Sequence, residues 1–468
     1  MFKKTFLGVL GAAVIISGFG LQNGWAEAGP PGHAGQSDRQ GPPPHAGKPA
    51  QPGPPPHAGG KQEQAENVIY LIPDGFSAGY NVNYRHYKED GDPVWDEFLT
   101  GMMTTHSHNN RVTDSAAAGT AMAAGVKTNN GVIGLDPDGE EVETILEAAK
   151  KAGKATGLVA NATITHATPA AFASHTNSRN NQAEIARQYI DDGNVDVLLG
   201  GGLSYFLPES EGGRQPERNL VQEAVENGYQ LVETRDELLA LDGDKVLGLF
   251  AHDAMLPELH REESEEPSLA EMTEAALDIL SEEEDGFFLM VEGSQIDWAG
   301  HANDAAWAMS DTAAFEEAVI ASLEFAGENE DTLIVIAGDH DTGGMTLGGY
   351  NSKGTNVEIL HNVTATGAYM VQQLDSGRSN VKEVVEEYTS IVLTDGEAQR
   401  IQQARNPEIT LNQIISDYAG VGWSTTSHTG IEVPVFAYGP GSELLHGMID
   451  NTDVPYAIAE AYGIPFGN

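Results

Sequence analysis

The chain has 468 residues, of which 40% are hydrophobic, and it contains no cysteine. This length suffices for a sizeable core, and the missing cysteines exclude disulfides and thiolate metal sites. Lys and Arg number 24 against 70 Asp and Glu, and a net charge of −46 argues against nucleic acid and anionic membranes as partners.

The acidic residues are dispersed along the chain and are not gathered in one tail. We hypothesise adaptation to high salt, because a screening length of roughly 3 Å at 1 M salt would weaken the self-repulsion of such a surface. The alternative is an acidic secreted protein that needs no salt.

Residues 1–28 have the features of a secretory signal peptide. Lys3 and Lys4 precede a short apolar run, and the sequence AEA ending at Ala28 fits signal-peptidase cleavage. The run is short for a membrane-spanning helix. We therefore predict a protein that is secreted to the periplasm or the medium, with no membrane contact after cleavage; an uncleaved anchor is the alternative.

Residues 29–65 are rich in proline, glycine and histidine. GPPGHAG occurs once and GPPPHAG twice, so that His33, His45 and His57 occupy equivalent positions. This composition cannot bury a core and predicts a disordered linker. The three imidazoles could collect a transition metal, and the other reading is a flexible spacer that binds nothing.

From residue 66 to residue 468, short apolar runs alternate with longer amphipathic patterns. The runs NVIYLIP, ATGLVANA, VDVLLGGG, FFLMVEG, TLIVIAG and VPVFAYG indicate buried strands, and segments such as SLAEMTEAALDILSEEE and AAFEEAVIASLEFAGE indicate helices. This alternation predicts an α/β fold of three layers, with a mainly parallel central sheet flanked by helices. In such sheets functional residues gather beyond the carboxyl ends of the strands.

Ser115 stands in RVTDSAAAGTAMAAGVKT, just before a run of small residues that predicts a helix. A serine at that position can be a helix cap, or it can be a nucleophile that gains from the anion-binding helix start. The choice depends on whether other groups surround the hydroxyl.

Carboxylates and imidazoles stand near the ends of four predicted strands. They are Asp74, Glu292 with Asp297 and His301, Asp339 with His340 and Asp341, and His428 just before VPVFAYG. A single acid after a strand is usually a turn or cap residue, but several acids at one sheet edge would repel one another unless cations lay among them. Mixed Asp and His ligands suit zinc and oxygen ligands suit magnesium, so we expect more than one divalent ion.

The motifs resemble those of alkaline phosphatases, in that family's order, from about Asn67 to the C-terminus. VTDSAAAGTAMAAGVKTNNGVIG is similar to the family's nucleophile motif, and LIPDG, HATPAAFASHTNSR, VEGSQIDWAGH, AGDHDTGG and SHTG are similar to its other site motifs. The resemblance implies a metal-dependent phosphomonoesterase that works at alkaline pH. It would transfer phosphate to Ser115 and then to water, releasing inorganic phosphate and an alcohol.

The resemblance also implies a role for each matching residue. One zinc would be held by Asp297, His301 and His428, and a second by Asp74, Asp339 and His340 beside Ser115. A magnesium ion would be held by Asp74, Thr168 and Glu292. Arg179 would grip phosphate, with Asp114, His166 and Trp298 around these groups.

His166 and Trp298 depart from the best-studied bacterial member, which has Asp and Lys at these positions. We therefore expect weaker product binding and an altered metal preference at the third site. The resemblance further implies a homodimer, because family members carry an insertion between the segments of His340 and His428 that covers the dimer. We place this inserted lobe at about residues 348–422, with a helix in VKEVVEEYTSI and a strand in NVEILHNVTA; a surface excursion without subunit contact is the alternative.

Other readings stay open at this point. A phosphodiesterase or phosphomutase shares the metal carboxylates, and a sulfatase is disfavoured because its Cys/Ser-x-Pro-x-Arg setting is absent around Ser115. From a different class, the chain could be a secreted metal scavenger whose histidine-rich segment does the binding.

Overall fold

A computed structural model describes residues 64–241, 243–261, 264–349 and 354–467. The predicted signal peptide and nearly all of the histidine-rich linker lie outside these residues, whereas every predicted site residue lies within them. No helix of the described ranges is both long enough and apolar enough to cross a membrane.

The strands are short and most are buried. They are β1 (Asn67–Pro73), β2 (Leu99–Thr104), β3 (Ala155–Thr163), β4 (Val197–Gly201), β5 (Gln230–Val232), β6 (Val246–Leu249), β7 (Phe287–Gly293), β8 (Thr332–Ala337), β9 (Asp341–Thr342), β10 (Thr346–Leu347), β11 (Val421–Gly422), β12 (His428–Thr429), β13 (Val433–Tyr438) and β14 (Gly447–Asp450).

The helices fill most of the intervals between the strands. They are α1 (Ala78–Tyr87), α2 (Ser115–Ala124), α3 (Ile145–Lys151), α4 (Ala167–Ala173), α5 (Gln182–Asp192), α6 (Leu220–Glu226), α7 (Arg235–Leu239), α8 (Glu258–Arg261), α9 (Leu269–Leu280), α10 (Gln295–Ala302), α11 (Ala305–Glu328), α12 (Gly367–Gln372), α13 (Val381–Thr389), α14 (Asp395–Gln403), α15 (Pro407–Ala419) and α16 (Asp453–Tyr462).

Ten of these strands form one sheet in the order β14-β2-β13-β8-β1-β7-β3-β4-β6-β5. Strand β1 is central and pairs in parallel with β7 and β8, with Ile72 opposite Glu292 and Leu71 opposite Ile336. Strand β13 runs antiparallel to both of its neighbours, β8 and β2, while the other pairings of the sheet are parallel. The start of β13 therefore lies at the edge where the parallel strands end.

The central strands bury side chains on both faces, which confirms the three-layer architecture. Ile69 and Leu71 of β1 enter one core together with α1, α9 and α11, and Val68 and Tyr70 enter a second core with α2, α4 and α5. Alternate residues of a strand point to opposite faces, so a strand covered on both sides is apolar throughout. This is why the strands appear in the sequence as continuous hydrophobic runs.

The predicted insertion packs on the first of these cores. Its helices α12 to α15 contribute Met370, Val385, Ile401 and Leu411 to that core, and α13 lies where VKEVVEEYTSI predicts a helix. The strand predicted in NVEILHNVTA is wrong, because residues 357–362 form a 3-10 helix. Its buried residues lie three apart, which is the period of that helix and not the two-residue period of a strand.

Candidate metal centre

The predicted residues meet at the carboxyl edge of the central strands. Asp74 follows β1, Glu292 lies near the end of β7, and Asp339 and His340 follow β8. His428 reaches the same edge because it precedes the antiparallel strand β13. Its short strand β12 pairs with β9, which sets His428 opposite Thr342 and beside the β8 residues.

The first cluster combines Asp297, His301 and His428, whose ligand atoms lie within 4.8 Å of one another. Asp297 and His301 share one face of α10, as their four-residue spacing predicts. His301 Nδ1 bonds to the Thr426 carbonyl and His428 Nδ1 bonds to the Thr113 carbonyl, both at 2.9 Å. A carbonyl only accepts, so each Nδ1 carries the proton and each Nε2 presents a lone pair. The two Nε2 atoms lie 3.1 Å apart, a distance that suits a shared cation better than direct contact.

The second cluster surrounds the ring of His340, which is fully buried. His340 Nε2 lies 3.2 Å from Asp339 Oδ2, 3.6 Å from Asp74 Oδ1 and 3.2 Å from Ser115 Oγ. Thr342 Oγ1 donates to Asp297 and lies 3.3 Å from His340 Nδ1, so that Nδ1 is the donor in this pair. The Nε2 lone pair of His340 therefore also faces the carboxylates.

The third cluster lies on the other side of Asp74. Thr168 Oγ1 donates to Asp74 Oδ2 at 3.4 Å, and His166 Nδ1 lies 3.6 Å from Glu292 Oε1. Arg179 donates to His166 Nε2 at 3.0 Å. Because that nitrogen accepts, the ring proton of His166 lies on Nδ1, which makes no hydrogen bond among the described residues although the ring lies close to Asp74 and Glu292. The groups that remain free for a cation are oxygens, from Asp74, Glu292 and Thr168.

Buried carboxylate oxygens in these clusters lack hydrogen-bond partners among the described residues. They are Asp74 Oδ1, Asp339 Oδ2 and both oxygens of Glu292. A buried ionised carboxylate without a partner is strongly unfavourable, and a bound cation removes that penalty. These residues therefore fit divalent metal ions, with mixed nitrogen and oxygen donors at two positions and oxygen donors at the third.

The electrostatics of the protein alone agree with this interpretation. Burial and the charges of Asp339 and Asp297 raise the pKa of Asp74 well above its usual range, and burial raises the pKa of Asp339 to about 7. Burial and the neighbouring His428 lower the pKa of His340, so this imidazole stays neutral, as a metal ligand must be. Burial also opposes ionisation of Asp297, but the hydrogen bond and charge of His301 outweigh it and its pKa is lowered.

Ser115 is the first residue of α2, and it is not the helix cap. Asp114 caps the helix by accepting from the Ala117 amide at 3.1 Å. The Ser115 hydroxyl is buried and directed at His340, which decides against the cap interpretation. A hydroxyl at this place lies among the lone pairs of the second cluster and at the positive end of a ten-residue helix.

Arg179 completes the site from the side of α2. Its Nη1 donates to Asp114 Oδ2 at 3.1 Å, and its backbone amide donates to the Gly131 carbonyl at 2.8 Å. Asp114 also accepts from the Gly131 amide at 3.0 Å, so one carboxylate positions the helix start, a loop and the guanidinium. The planar guanidinium suits two oxygens of a phosphate. Trp298 meets the His166 ring edge to face at 5.9 Å.

The structure adds groups that the sequence alone did not identify. Thr342 links His340 to Asp297, and the carbonyls of Thr113 and Thr426 orient two histidines. Asp341 follows Asp339 and His340 in the sequence, but its carboxylate accepts hydrogen bonds from Ser77 Oγ at 2.5 Å and Thr429 Oγ1 at 2.6 Å. No residue pattern distinguishes these supporting groups, because backbone carbonyls and single threonines occur everywhere.

Comparison with known proteins identifies the class to which this fold and site belong. Residues 65–464 match the sequence model of the alkaline phosphatase family. Alkaline phosphatase 4 of Bacillus subtilis is 43% identical over 415 residues, covering 84% of this chain and 88% of the relative. The solved alkaline phosphatase of Thermus thermophilus is similar with a TM-score of 0.79 at 32% identity, covering 87% of this chain and 93% of that one.

Another solved relative contains a bound metal. It is a variant of the alkaline phosphatase from the Antarctic bacterium TAB5, in which a histidine is replaced by glutamate and Mg is bound in the M3 site. Its TM-score is 0.67 at 29% identity, and the match covers 86% of this chain and all of that one.

The chain belongs to the alkaline phosphatase family. It is a phosphoric monoester hydrolase that acts on phosphate monoesters, and its family uses metal cofactors. The α/β fold and the family predicted from the motifs are confirmed.

Proposed function

We propose that this enzyme hydrolyses phosphate monoesters at alkaline pH through a phosphoserine formed on Ser115, with two Zn²⁺ and one Mg²⁺ as cofactors. The observation that carries the proposal is the position of Ser115 Oγ, which lies 3.2 Å from the Nε2 atom of His340 inside the buried cluster. A serine that acted only as a helix cap would bond to backbone amides of its own helix and not to the lone pair on His340 Nε2.

We assign the proposed cations to three places according to the donor atoms at each. Asp297, His301 and His428 would hold one zinc, and Asp74, Asp339 and His340 the second, with Ser115 beside it. Magnesium fits the oxygens of Asp74, Glu292 and Thr168, which hard cations prefer. When bound, such cations would lower the pKa of the serine hydroxyl and of a water molecule and offset the charge of the phosphoryl group.

The residues of the chain bind, orient and exchange the phosphoryl group. Arg179 holds two phosphate oxygens, and the amides at the start of α2 face the same anion. Ser115 Oγ gives up its proton to solvent and forms a bond to phosphorus, while the bond between phosphorus and the alcohol oxygen breaks and the alcohol takes up a proton from solvent. A water oxygen then attacks the phosphoserine, so that inorganic phosphate leaves and Ser115 regains its proton.

His166 and Trp298, which differ from the residues of the best-studied bacterial member, modify this scheme. His166 has its proton on Nδ1 and adds no lone pair, which leaves the third site with few ligands and an altered metal preference. Trp298 supplies no cation for a leaving phosphate, so we expect product to bind weakly. Replacing Trp298 with Lys should tighten inhibition by phosphate; an unchanged inhibition constant would remove this role from the residue.

Location and assembly belong to the same proposal. Residues 1–28 would direct secretion, residues 29–65 would act as a linker, and residues 66–468 form the catalytic domain. The packed lobe at about 348–422 would cover the interface of a homodimer. Light scattering would give the mass of the particle, and N-terminal sequencing of the mature protein would locate the cleavage.

The decisive experiment combines metal analysis with assays before and after chelation. We expect two zinc ions and one magnesium ion per chain, loss of p-nitrophenyl phosphate hydrolysis after chelation, and recovery when both metals are restored. Assays with bis(p-nitrophenyl) phosphate and p-nitrophenyl sulfate separate the enzyme from diesterases and sulfatases. Undiminished hydrolysis by metal-free protein would refute the proposal. A variant without residues 29–60 should keep its turnover, whereas a metal scavenger would lose its capacity.

A further inference from the structure

We infer that Arg111 is a specificity-determining residue, which binds a second anionic group on the alcohol part of the phosphate monoester. This inference deepens the proposed function and rests on it. The chemical class of substrate is a monoester whose leaving group carries another phosphate or a carboxylate, such as a sugar bisphosphate.

The position of Arg111 follows from the segment that leads into α2. Arg111 precedes Ser115 by four residues, which keeps the two Cα atoms within about 14 Å of each other. The Thr113 carbonyl between them accepts from His428 Nδ1 at 2.9 Å. The Arg111 carbonyl faces the loop after His428, because a Cβ atom placed on Gly430 would lie 3.3 Å from that oxygen. Arg111 therefore borders the entrance to the first metal cluster.

Hydrogen bonds hold this segment in place. The Val112 amide donates to Asn110 Oδ1 and the Val112 carbonyl accepts from Asn130 Nδ2, both at 3.1 Å. The Asn110 carbonyl accepts from the Ser107 amide at 3.0 Å. The Arg111 backbone is thus fixed on both sides, so its exposed side chain starts from a fixed position next to the first cluster.

No carboxylate of the described residues neutralises the charge of Arg111. The side chain is exposed and makes no ion pair with any carboxylate of the described residues, although the chain has 70 acidic residues. The exposed Arg214 does pair, with Asp253 at 2.8 Å, and the half-buried Arg218 pairs with Asp191 at 2.7 Å. Arg179, at the same site, is already held by Asp114 and His166.

An unpaired guanidinium at this place has a specific physical effect. The field of a chain with a net charge of −46 opposes the approach of multiply charged anions. A guanidinium binds phosphate and carboxylate through two parallel hydrogen bonds, so Arg111 would offset this field for a leaving group that extends from the phosphate past the first cluster. The benefit is larger for a leaving group that carries a charge than for a neutral one.

The test compares glucose 1,6-bisphosphate with glucose 6-phosphate in the metal-loaded enzyme. Either phosphate of the bisphosphate can react, and the other then remains on the leaving group. We expect Arg111→Gln to lower kcat/KM for the bisphosphate about three- to tenfold more than for the monophosphate, mainly through KM. Arg111→Lys should restore much of the difference, and rising NaCl should diminish it.

Arg405→Gln is the matched control, because Arg405 is also exposed and makes no ion pair within the described ranges. It removes one positive charge from the chain, and the ratio of the two kcat/KM values should not change. Equal losses on both substrates in Arg111→Gln, or an equal shift in the control, would overturn the role of Arg111. If the wild-type enzyme hydrolysed neither ester, the proposed function itself would fail, and this inference with it.

Discussion

Asp114 is the residue whose replacement tests the organisation of the site most directly. Its carboxylate accepts from the Ala117 amide at 3.1 Å, from the Gly131 amide at 3.0 Å and from Arg179 Nη1 at 3.1 Å. Replacement by alanine removes the cap of α2, the anchor of the Gly131 loop and one partner of Arg179. Replacement by asparagine keeps the oxygen that accepts from both amides, but it removes the charge and puts an NH2 donor where Oδ2 accepts from Arg179.

The three bonds allow the cost to be worked out. Loss of a helix cap costs about 1 kcal/mol, loss of the bond to the Gly131 amide costs about 1 kcal/mol, and the partly exposed ion pair adds at most about 1 kcal/mol. We expect Asp114→Ala to lower the free energy of unfolding by about 2–3 kcal/mol and Asp114→Asn by about 1 kcal/mol or less. Both should raise KM about tenfold, because Arg179 loses its charged partner.

Equilibrium urea unfolding of the metal-loaded proteins measures the first quantity, and steady-state kinetics with p-nitrophenyl phosphate measures the second. Equal unfolding free energies for the alanine and asparagine variants would show that the carboxylate is not the cap. An unchanged KM in both variants would show that Asp114 does not position Arg179. Either result would refute the reasoning.

The other predictions concern the nucleophile, the third metal site, the metal-free protein and the charge of the surface. Ser115→Ala should abolish labelling by radioactive phosphate and lower kcat at least about 1,000-fold. His166→Asp should raise Mg²⁺ occupancy, measured by metal analysis, because a carboxylate adds an oxygen ligand. In the metal-free protein, burial raises the pKa of Asp339 to about 7, so the folded chain keeps a proton there that the unfolded chain loses, whereas the lowered pKa of His340 acts in the opposite direction. Asp339→Asn should therefore make stability fall less, or rise more, than in the wild type as pH rises from about 4 to about 7. Molar NaCl should raise the melting temperature, because screening weakens the repulsion that a net charge of −46 produces.

Each of these has an outcome that contradicts it. Undiminished labelling of the alanine variant would place the phosphate on another residue. Unaltered magnesium content in His166→Asp would mean that position 166 does not reach the third site. An Asp339→Asn variant with the same pH dependence of stability as the wild type would contradict the raised pKa of Asp339, and a melting temperature that stayed constant or fell with NaCl would contradict salt adaptation.

The fold could be predicted from the sequence because strands buried on both faces appear as long apolar runs. The runs of β1, β7 and β8 are of this kind, and a polar residue of the site, Asp74, Glu292 or Asp339, stands at or just after the end of each. The short strands β9 to β12 could not be predicted, since two residues carry no periodicity. Residues 357–362 misled the prediction, because a 3-10 helix with apolar residues on one side resembles a strand over such a short length.

The residues of the site could be predicted from the sequence more completely than the geometry that brings them together. His428 lies before its strand, whereas the other ligand candidates lie at or after theirs. Only the antiparallel direction of β13 explains how it reaches the same edge. The proton positions on the histidines depend on carbonyls of Thr113 and Thr426, which leave no trace in the sequence. The same holds for His166, whose proton is assigned through the bond from Arg179.

The two short strand pairs have a consequence for the evolution and engineering of this enzyme. Pairing of β9 with β12 and of β10 with β11 brings both ends of the inserted lobe together at its base. The chain leaves the catalytic core at Leu347 and returns at Val421 through a closed neck. Lobes of other lengths or sequences could be grafted onto this neck while His340 and His428 keep their ring stacking at 3.6 Å. Because α12 to α15 also bury apolar residues on the first core, an exchanged lobe must cover the same core surface, and only its outward-facing surface is free to acquire new properties.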